Sequence, residues 1–484
     1  MSMRYLLILV ILALSQVGLA DTILQIKAND HPAQQHLSYR AITVENISEQ
    51  PQIIQDIIAT VAPEKLQPLL QFCDQNSTCE KIYLNTCRSG IRLMPHQQCM
   101  IWLRAVAQDL LLPNTEGQLQ LQVTIQNQLV ASAATTFALN YSQEVYAGGS
   151  FSAPSMNLAR WDGAQWHSLG KGLIGGGEVM QLASYQGDLY ATGSFYQAGD
   201  KPVNFIARWD GSAWHDLGLG IGDPGGDALL SYKNELLVGG GFDYAGEQPA
   251  NYLAKWDGTD WFGFELGLDA PINTLVADAD QLYIGGEFTQ LGNQRVDHLA
   301  VQKNGTWQAL EQGVNASVYA LALEQKNALY VGGSFTQAGD VSAAHLARWK
   351  NNSWSALGTG VNDNVLTLVT DHDQVFAGGA FTQAGDVPVN FVAQWNGKKW
   401  LALEGGVTFA KQPKYTQVYA LTAHGQQLYV GGYFTQAHNK NGTINANYIA
   451  IWDRNQMQWQ TLGEGVNGIV RSITIIPALK ITNA

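Results

Sequence analysis

The stretch YVGGSFTQAGD at 330–340 sets a glycine pair directly behind an apolar run, an arrangement in which backbone amides can cradle phosphate. That chemistry calls for one loop at the head of a helix, with Lys-Ser/Thr behind the glycines. Here the motif recurs at Tyr146 (YAGGSF), Tyr190 (YATGSF, with Thr for the first glycine), Leu237 (LVGGGF), Tyr283 (YIGGEF), Phe376 (FAGGAF) and Tyr429 (YVGGYF), each time ahead of another strand pattern. The context speaks against a nucleotide loop. Asp200, Asp340 and Asp386 close three Gln-Ala-Gly-Asp loops, but one acid per loop is too few oxygens for calcium, and turn capping is the better reading. Asp278, Asp280, Asp371 and Asp373 stand in short hairpin turns, where solvation accounts for them. His167, His215, His298, His345, His372, His424 and His438 never pair at metal-ligand spacing on one strand. No metal and no cofactor are expected.

Cys73, Cys79, Cys87 and Cys99 lie within 27 residues and no cysteine follows them. In an exported chain an even count reads as two disulfides, with Cys73–Cys79 across a polar loop and Cys87–Cys99 between neighbouring strands the favoured pairing. A zinc site is the rival, although the C-x-x-C knuckle is missing. Export itself follows from the N-terminus. Arg4 precedes an apolar run, Leu6 to Leu14, and Gly18-Leu19-Ala20 offers a cleavage site before Asp21. A signal peptide over 1–20 cut after Ala20 sends the protein to the periplasm, the cell surface or the medium; an uncleaved anchor is the alternative. No later run of 18 apolar residues occurs, so the mature chain is not expected to span a membrane. A formal net charge of −13 without any basic run excludes nucleic acid as a partner.

The elements that position these residues are strands. Apolar residues make up 46 % and charged residues 14 %, with 50 glycines and 14 tryptophans, a profile that suits a turn-rich all-β protein. The seven glycine-pair copies are 44 to 53 residues apart. Each is followed by Ile/Leu-Ala-Arg-Trp-Asp-Gly-x-x-Trp or a close variant. The leading tryptophans are Trp161, Trp209, Trp256, Trp349, Trp395 and Trp452; the fourth copy has Gln302 instead and keeps Trp307. Each copy parses into four strands, in the fifth Val318 to Glu324, Leu329 to Phe335, His345 to Lys350 and Trp354 to Leu357. Four strands at this period predict a β-propeller blade, with a solenoid as runner-up. The first copy lacks an opening strand and the last ends with a surplus one, Ile469 to Ile476, which is expected to complete the first blade. The fold class is therefore all-β: a seven-bladed β-propeller over 144–476, preceded by a β-sandwich-like domain over 21–140 and followed by a tail, 477–484. The stretch Ile53 to Phe72 within the first domain is a candidate helix.

The glycine pair and the tryptophan-flanked hairpin resemble the kelch repeats of galactose-oxidase-type propellers. The YVGGxFTxAG…IAxWDGxxW form is closer still to the repeat ectodomains of fungal cortical polarity-marker proteins. ITVENISEQP, CRSGIRLMPHQQCMIWLRA and LQLQVTI resemble the immunoglobulin-like domains of bacterial exported proteins. Kelch-type folds serve many functions. Copper-radical chemistry is excluded because the repeats hold no cysteine. Asp-Gly-x-x-Trp resembles the sialidase Asp box, with different spacing.

The tryptophans and glycine pairs first read as scaffold, since repetition in every blade suits packing. Where copies stop agreeing is the better guide to function. The connections at 222–227, 408–416 and 438–445 are lengthened and open onto one face. Two of them carry Lys411, Lys414, Tyr415, His438 and Lys440 onto an acidic protein, a candidate rim for an acidic protein or glycan. The expected function is non-catalytic recognition by a monomer. The alternatives are a carbohydrate-active hydrolase or lyase and a multivalent lectin with one aromatic site per blade.

Overall fold

A computed structural model describes residues 143–324 and 328–476 in full and, outside them, the backbone of the strands named below. The chain is all-β and divides into two compact units, Met1–Gln143 with Pro477–Ala484, and Glu144–Ile476.

In the first unit Leu24–Asn29, Tyr39–Asn46, Gln98–Ala105 and Leu70–Cys73 form one antiparallel sheet in that order. Asp56–Ala62 pairs with Thr115–Ile125, which pairs with Gln128–Ser150. The candidate helix over 53–72 is therefore corrected to strand at Asp56–Ala62 and Leu70–Cys73. Its sequence DIIATVA is dominated by β-branched residues, whose stiff side chains favour the pleated backbone. The signal segment and the cysteine pairing lie outside the described residues.

The second unit repeats a single pattern. Sheet II contains Val179–Tyr185, Asp188–Gly193, Ile206–Trp209 and Trp214–His215, and sheet III Gly226–Tyr232, Glu235–Gly240, Leu253–Trp256 and Trp261–Gly263. Sheet IV contains Ile272–Ala277, Gln281–Gly286, Leu299–Lys303 and Thr306–Ala309, and sheet V Val318–Glu324, Ala328–Gly333, Leu346–Lys350 and Ser353–Ala356. Sheet VI contains Val365–Asp371, Gln374–Gly379, Val392–Trp395 and Trp400–Ala402, and sheet VII Gln417–His424, Gln427–Tyr433, Ile449–Asp453 and Gln458–Thr461. Within each, the strands lie antiparallel in chain order. Sheet I is assembled from both ends of the unit: Ile469–Asn483 pairs with Gln128–Ser150, which pairs with Leu158–Trp161, which pairs with Trp166–Ser168.

The glycine pair fixes how these sheets meet. A β-carbon on Gly332 would stand 2.5 Å from Cγ1 of Val365 in the next sheet, and Gly148, Gly285, Gly378 and Gly431 face Val179, Val318, Val418 and Val470 at 2.5–2.6 Å. Close approach of neighbouring sheets therefore requires the missing side chain. Between sheets II and III the partners are exchanged: Thr192 replaces the glycine, and the residue facing it is Gly226. The second glycine serves its own sheet. A β-carbon on Gly333 would fall 2.1 Å from the Ser317 carbonyl oxygen, and at this point the first strand bulges. Val318 faces Gly333 and Ala320 faces Gly332, so Tyr319 is an extra residue without a partner across the ladder.

The tryptophans tie the outer hairpins. Trp349 faces Trp354 across sheet V, and the paired rings of sheets I, II, III, V, VI and VII lie 5.0–5.6 Å apart at 50–59°. The second ring reaches back to the preceding sheet. Nε1 of Trp214, Trp261, Trp400 and Trp459 donates to the carbonyl oxygens of Leu169, Leu217, Leu357 and Leu403 at 2.7–3.0 Å. Trp166 makes the same bond to Leu462, at 2.8 Å, joining sheet I to sheet VII. That junction is repeated elsewhere: Asn467 Oδ1 accepts from the Ser152 and Ala153 amides at 2.8 and 3.0 Å, and Thr422 Oγ1 donates to Ile473 O at 2.7 Å.

Candidate ligand site at the central cavity

The first strands of sheets I to VII together line a cavity of about 370 Å³. The bulge residues project into its lining. They are Met180, Asp227, Asn273, Tyr319, Leu366 and Tyr419. In sheet I Arg471 takes the same position after Val470. A β-carbon on Gly149 would stand 2.0 Å from Ile469 O and 3.0 Å from Arg471 N, matching Gly193 against Glu178 O and Met180 N at 2.1 and 2.9 Å. Behind this ring the lining is small (Ala228, Ala320, Ala420, Ser472) and then apolar (Leu229, Leu275, Leu321, Leu368). The repeat thus holds for the frame and varies most in residue type at the ring position. Since each first strand enters from the fourth-to-first connection, the ring sits at the cavity end nearest the long connections.

The electrostatics of the ring are lopsided. Arg471 Nε lies 2.9 Å from Glu178 Oε2, and its guanidinium sits 4.2 Å over the Tyr419 ring. Asp227 has no hydrogen-bond or ion-pair partner among the described residues. Burial, and secondarily the Glu287 carboxylate, push its pKa up to about 6. Asn273 Nδ2 donates to Val318 O at 3.0 Å, which leaves its Oδ1 as an acceptor. Two arginines elsewhere in the repeats are committed to structure: Arg160 bonds the buried Glu144 at 2.7 Å, and Arg208 approaches Asp188 at 3.5 Å.

Each residue singled out in the sequence has a defined place. Trp209, Trp256, Trp349 and Trp452 are buried, as are Trp214, Trp261, Trp400 and Trp459, while Trp161 and Trp395 are half-buried in the core. Indoles held this way offer no open face to a sugar. The hairpin aspartates are caps. Asp162 Oδ1 accepts from the Ala164 and Gln165 amides at 2.8 and 2.9 Å, while Oδ2 meets His167 Nε2 at 2.7 Å. Burial works to raise this carboxyl, but those hydrogen bonds hold it well below the usual range. Asp200 bonds Lys171. Asp371 is held by Arg454 of sheet VII as well as by His372, so solvation alone does not explain it. Among the described residues no group of three or more His, Cys, Asp or Glu is placed to hold a metal, and no helix is long and apolar enough to cross a membrane.

The cationic rim is only partly assembled. The connections carrying it do meet: Val407–Thr408 pairs with Gln436–Asn439, and Thr408 Oγ1 hydrogen-bonds His438 Nε2 at 2.7 Å. His438 also bonds Thr443 at 2.9 Å, and burial lowers its pKa. It is a neutral strut between loops and is not presented to a ligand. Lys411, Lys414 and Lys440 are exposed, and Lys414 Nζ lies 4.8 Å over the ring of Tyr415, which is itself exposed.

No family model matches the chain, and no curated protein matches it. Solved structures do. The computationally designed Ika8 protein is 15 % identical with a TM-score of 0.39, over 70 % of this chain and 96 % of that one. YCF48 bound to D1 peptide is 13 % identical with a TM-score of 0.37, over 58 % and 80 %. AztD from Citrobacter koseri is 11 % identical with a TM-score of 0.35, over 71 % and 99 %.

Sequence reasoning passed over the ring. A signal was present, since the residue after the strand's opening position ranges over Met, Asp, Asn, Tyr, Leu and Arg, while that opening position is valine in five of the seven copies. Simple strand alternation hides this, because a bulge changes which face a residue serves.

Proposed function

We propose that residues 144–476 form a seven-bladed β-propeller behind an immunoglobulin-like module, and that the exported protein is a non-catalytic recognition module. Its ligand is a protein partner bound on the face that carries the long connections, centred on the cavity mouth. The observation that carries this reading is the ring of bulge residues: a repeated frame aims seven side chains of six different types at one cavity. Rigid scaffolds with variable inserts are how recognition surfaces are commonly built. The cavity volume also falls within the range of small ligand sites.

The test compares ring with frame. Immobilised protein is exposed to periplasmic and extracellular extract. Tyr319→Ala and Arg471→Ala should each lose the partner that the parent retains, whereas Lys411→Ala with Lys440→Ala should keep it. A partner held equally by the ring variants places the site elsewhere.

A second reading, a saccharide hydrolase, is favoured by the same Asp227. A carboxyl pushed up to about 6 beside a second carboxylate is the pattern of a general acid. Turnover of a glycan substrate that vanishes in Asp227→Asn would establish it; no turnover over a broad saccharide panel removes it.

A further inference from the structure

The cavity mouth carries charge that the chain itself does not balance. Its arginine is already neutralised, with Arg471 Nε 2.9 Å from Glu178 Oε2. On the other side Asp227 stands at the bulge of sheet III, half-buried and without a hydrogen-bond or ion-pair partner among the described residues. The Glu287 carboxylate, which follows the second strand of sheet IV and is exposed, adds a like charge to its surroundings. Asn273, the bulge residue of sheet IV, donates one N–H to the Val318 carbonyl at 3.0 Å, and its Oδ1 remains an acceptor. Two carboxylates and an amide oxygen make an acceptor-only set. Removing a carboxylate from water without a counter-charge is unfavourable, and a second carboxylate nearby makes it more so. A ligand that brings several N–H donors and one positive charge satisfies all three groups at once.

We propose that the mouth between sheets III and IV receives an organic cation, the ammonium or guanidinium of a lysine or arginine side chain on a partner protein, held by Asp227 and Glu287 with Asn273 accepting a further hydrogen bond. This rests on the reading of the cavity mouth as the ligand site. The neighbouring Met180 and the apolar layer behind the ring would flank the aliphatic stem of such a side chain, which buries methylenes while its charged head is paired.

The experiment uses the full chain and calorimetric titration with simple probes. Nα-acetyl-lysine amide and Nα-acetyl-arginine amide should bind, and Nα-acetyl-norleucine amide and Nα-acetyl-glutamate amide should bind at least tenfold more weakly. Asp227→Asn should lose at least tenfold for the cationic probes and Glu287→Gln about threefold. Because Asp227→Asn is isosteric, an unchanged or raised melting temperature shows that the loss is not unfolding. Equal binding of norleucine and lysine amides, or undiminished binding to Asp227→Asn, overturns the proposal. So does calcium chloride displacing or outbinding the organic cations, which would make the site a metal site. Spermidine binding more tightly than both amides overturns the side-chain source and assigns a free polyamine. If the cationic probes fail while Tyr319→Ala and Arg471→Ala still lose the partner, only this inference falls. If those variants keep the partner, the cavity reading falls with it.

Discussion

Along sheet V, Trp349 and Trp354 repeat a tryptophan pair found in five other sheets, whereas the position of Tyr319 carries Met, Asp, Asn, Leu, Tyr and Arg in the others. The two positions differ in what surrounds them. In sheets I, II, III, VI and VII the outer hairpin is closed against the preceding sheet by an indole N–H on a leucine carbonyl, and at Gly358 a β-carbon would stand 3.4 Å from the Trp395 ring. Most of these positions see the same neighbours, and most carry the same residue; sheet IV, with Gln302 in place of the first tryptophan, is the exception. The bulge residue instead leaves the ladder and faces a space that belongs to no single sheet. Constraint at the outside and latitude at the inside follow from one geometry, and the glycine pair supplies both. Its first member admits the next sheet, and its second admits the bulge.

The comparison can be broken most severely at the joint between the two ends of the unit. A chain ending at Gly468 loses the strand that pairs with Gln128–Ser150, and cooperative thermal unfolding should disappear. A soluble, sharply melting product would show that the frame does not need this strand. Next comes an outer hairpin. Trp459 is 2 % exposed and bonds Leu403 O at 3.0 Å, so Trp459→Ala should cost about 3–5 kcal/mol in denaturant unfolding. A cost under about 1 kcal/mol would remove the tryptophans from the frame. A smaller effect tests the exchanged pair. Gly226→Val alone collides with Thr192, and Thr192→Gly alone leaves a gap. The double variant restores the arrangement found at Gly332 and Val365, and a double-mutant cycle should give a favourable coupling of about 1–3 kcal/mol. Additive costs would refute the complementarity.

The smallest effect belongs to the ring. A carboxyl whose pKa is raised on folding costs stability once ionised. For Asp227, raised from 3.8 to about 6, the cost is absent below the unfolded value, grows between the two values and is complete above about 6. Asp227→Asn should therefore match the parent near pH 3.5 and exceed it by about 1–2 kcal/mol at pH 8. The opposite sign would mean that Asp227 has a favourable partner in the free protein.

Much of this organisation was legible in the residues. Val318–Glu324 was read to the residue, and the third strand differs only at its start. The sequence places His345 in it, but φ of 64° and an amide bonded to Phe335 O make it the last residue of the connection. The glycine pairs were read as sites of close packing, and Gly332 and Gly333 show two separate reasons for it. The connections at 408–416 and 438–445 were expected to share a face, and the structure also pairs Val407–Thr408 with Gln436–Asn439. What the sequence hid depends on pairing across the ladder. Nothing in Val-Tyr-Ala-Leu at 318–321 says that Tyr319 lacks a partner until Gly332 and Gly333 are set opposite it. His438 looked like a rim group because its sequence neighbours are polar, yet Thr408, thirty positions away, takes its ring nitrogen. Burial of Asp227 likewise comes from strands distant in the chain.

The exchange of Thr192 and Gly226 has a consequence for how such an array can change over generations. Copies that carry glycine at one joint and valine at the next are interchangeable tiles. Any of them can be duplicated, lost or recombined with the joints still fitting. Sheets II and III are not such tiles. Loss of III alone would bring Thr192 onto Ile272, and loss of II alone would set Gly148 against Gly226 and leave a hole. These two copies are inherited together or repaired together, so the joint between them marks a fixed point in an otherwise shuffleable series.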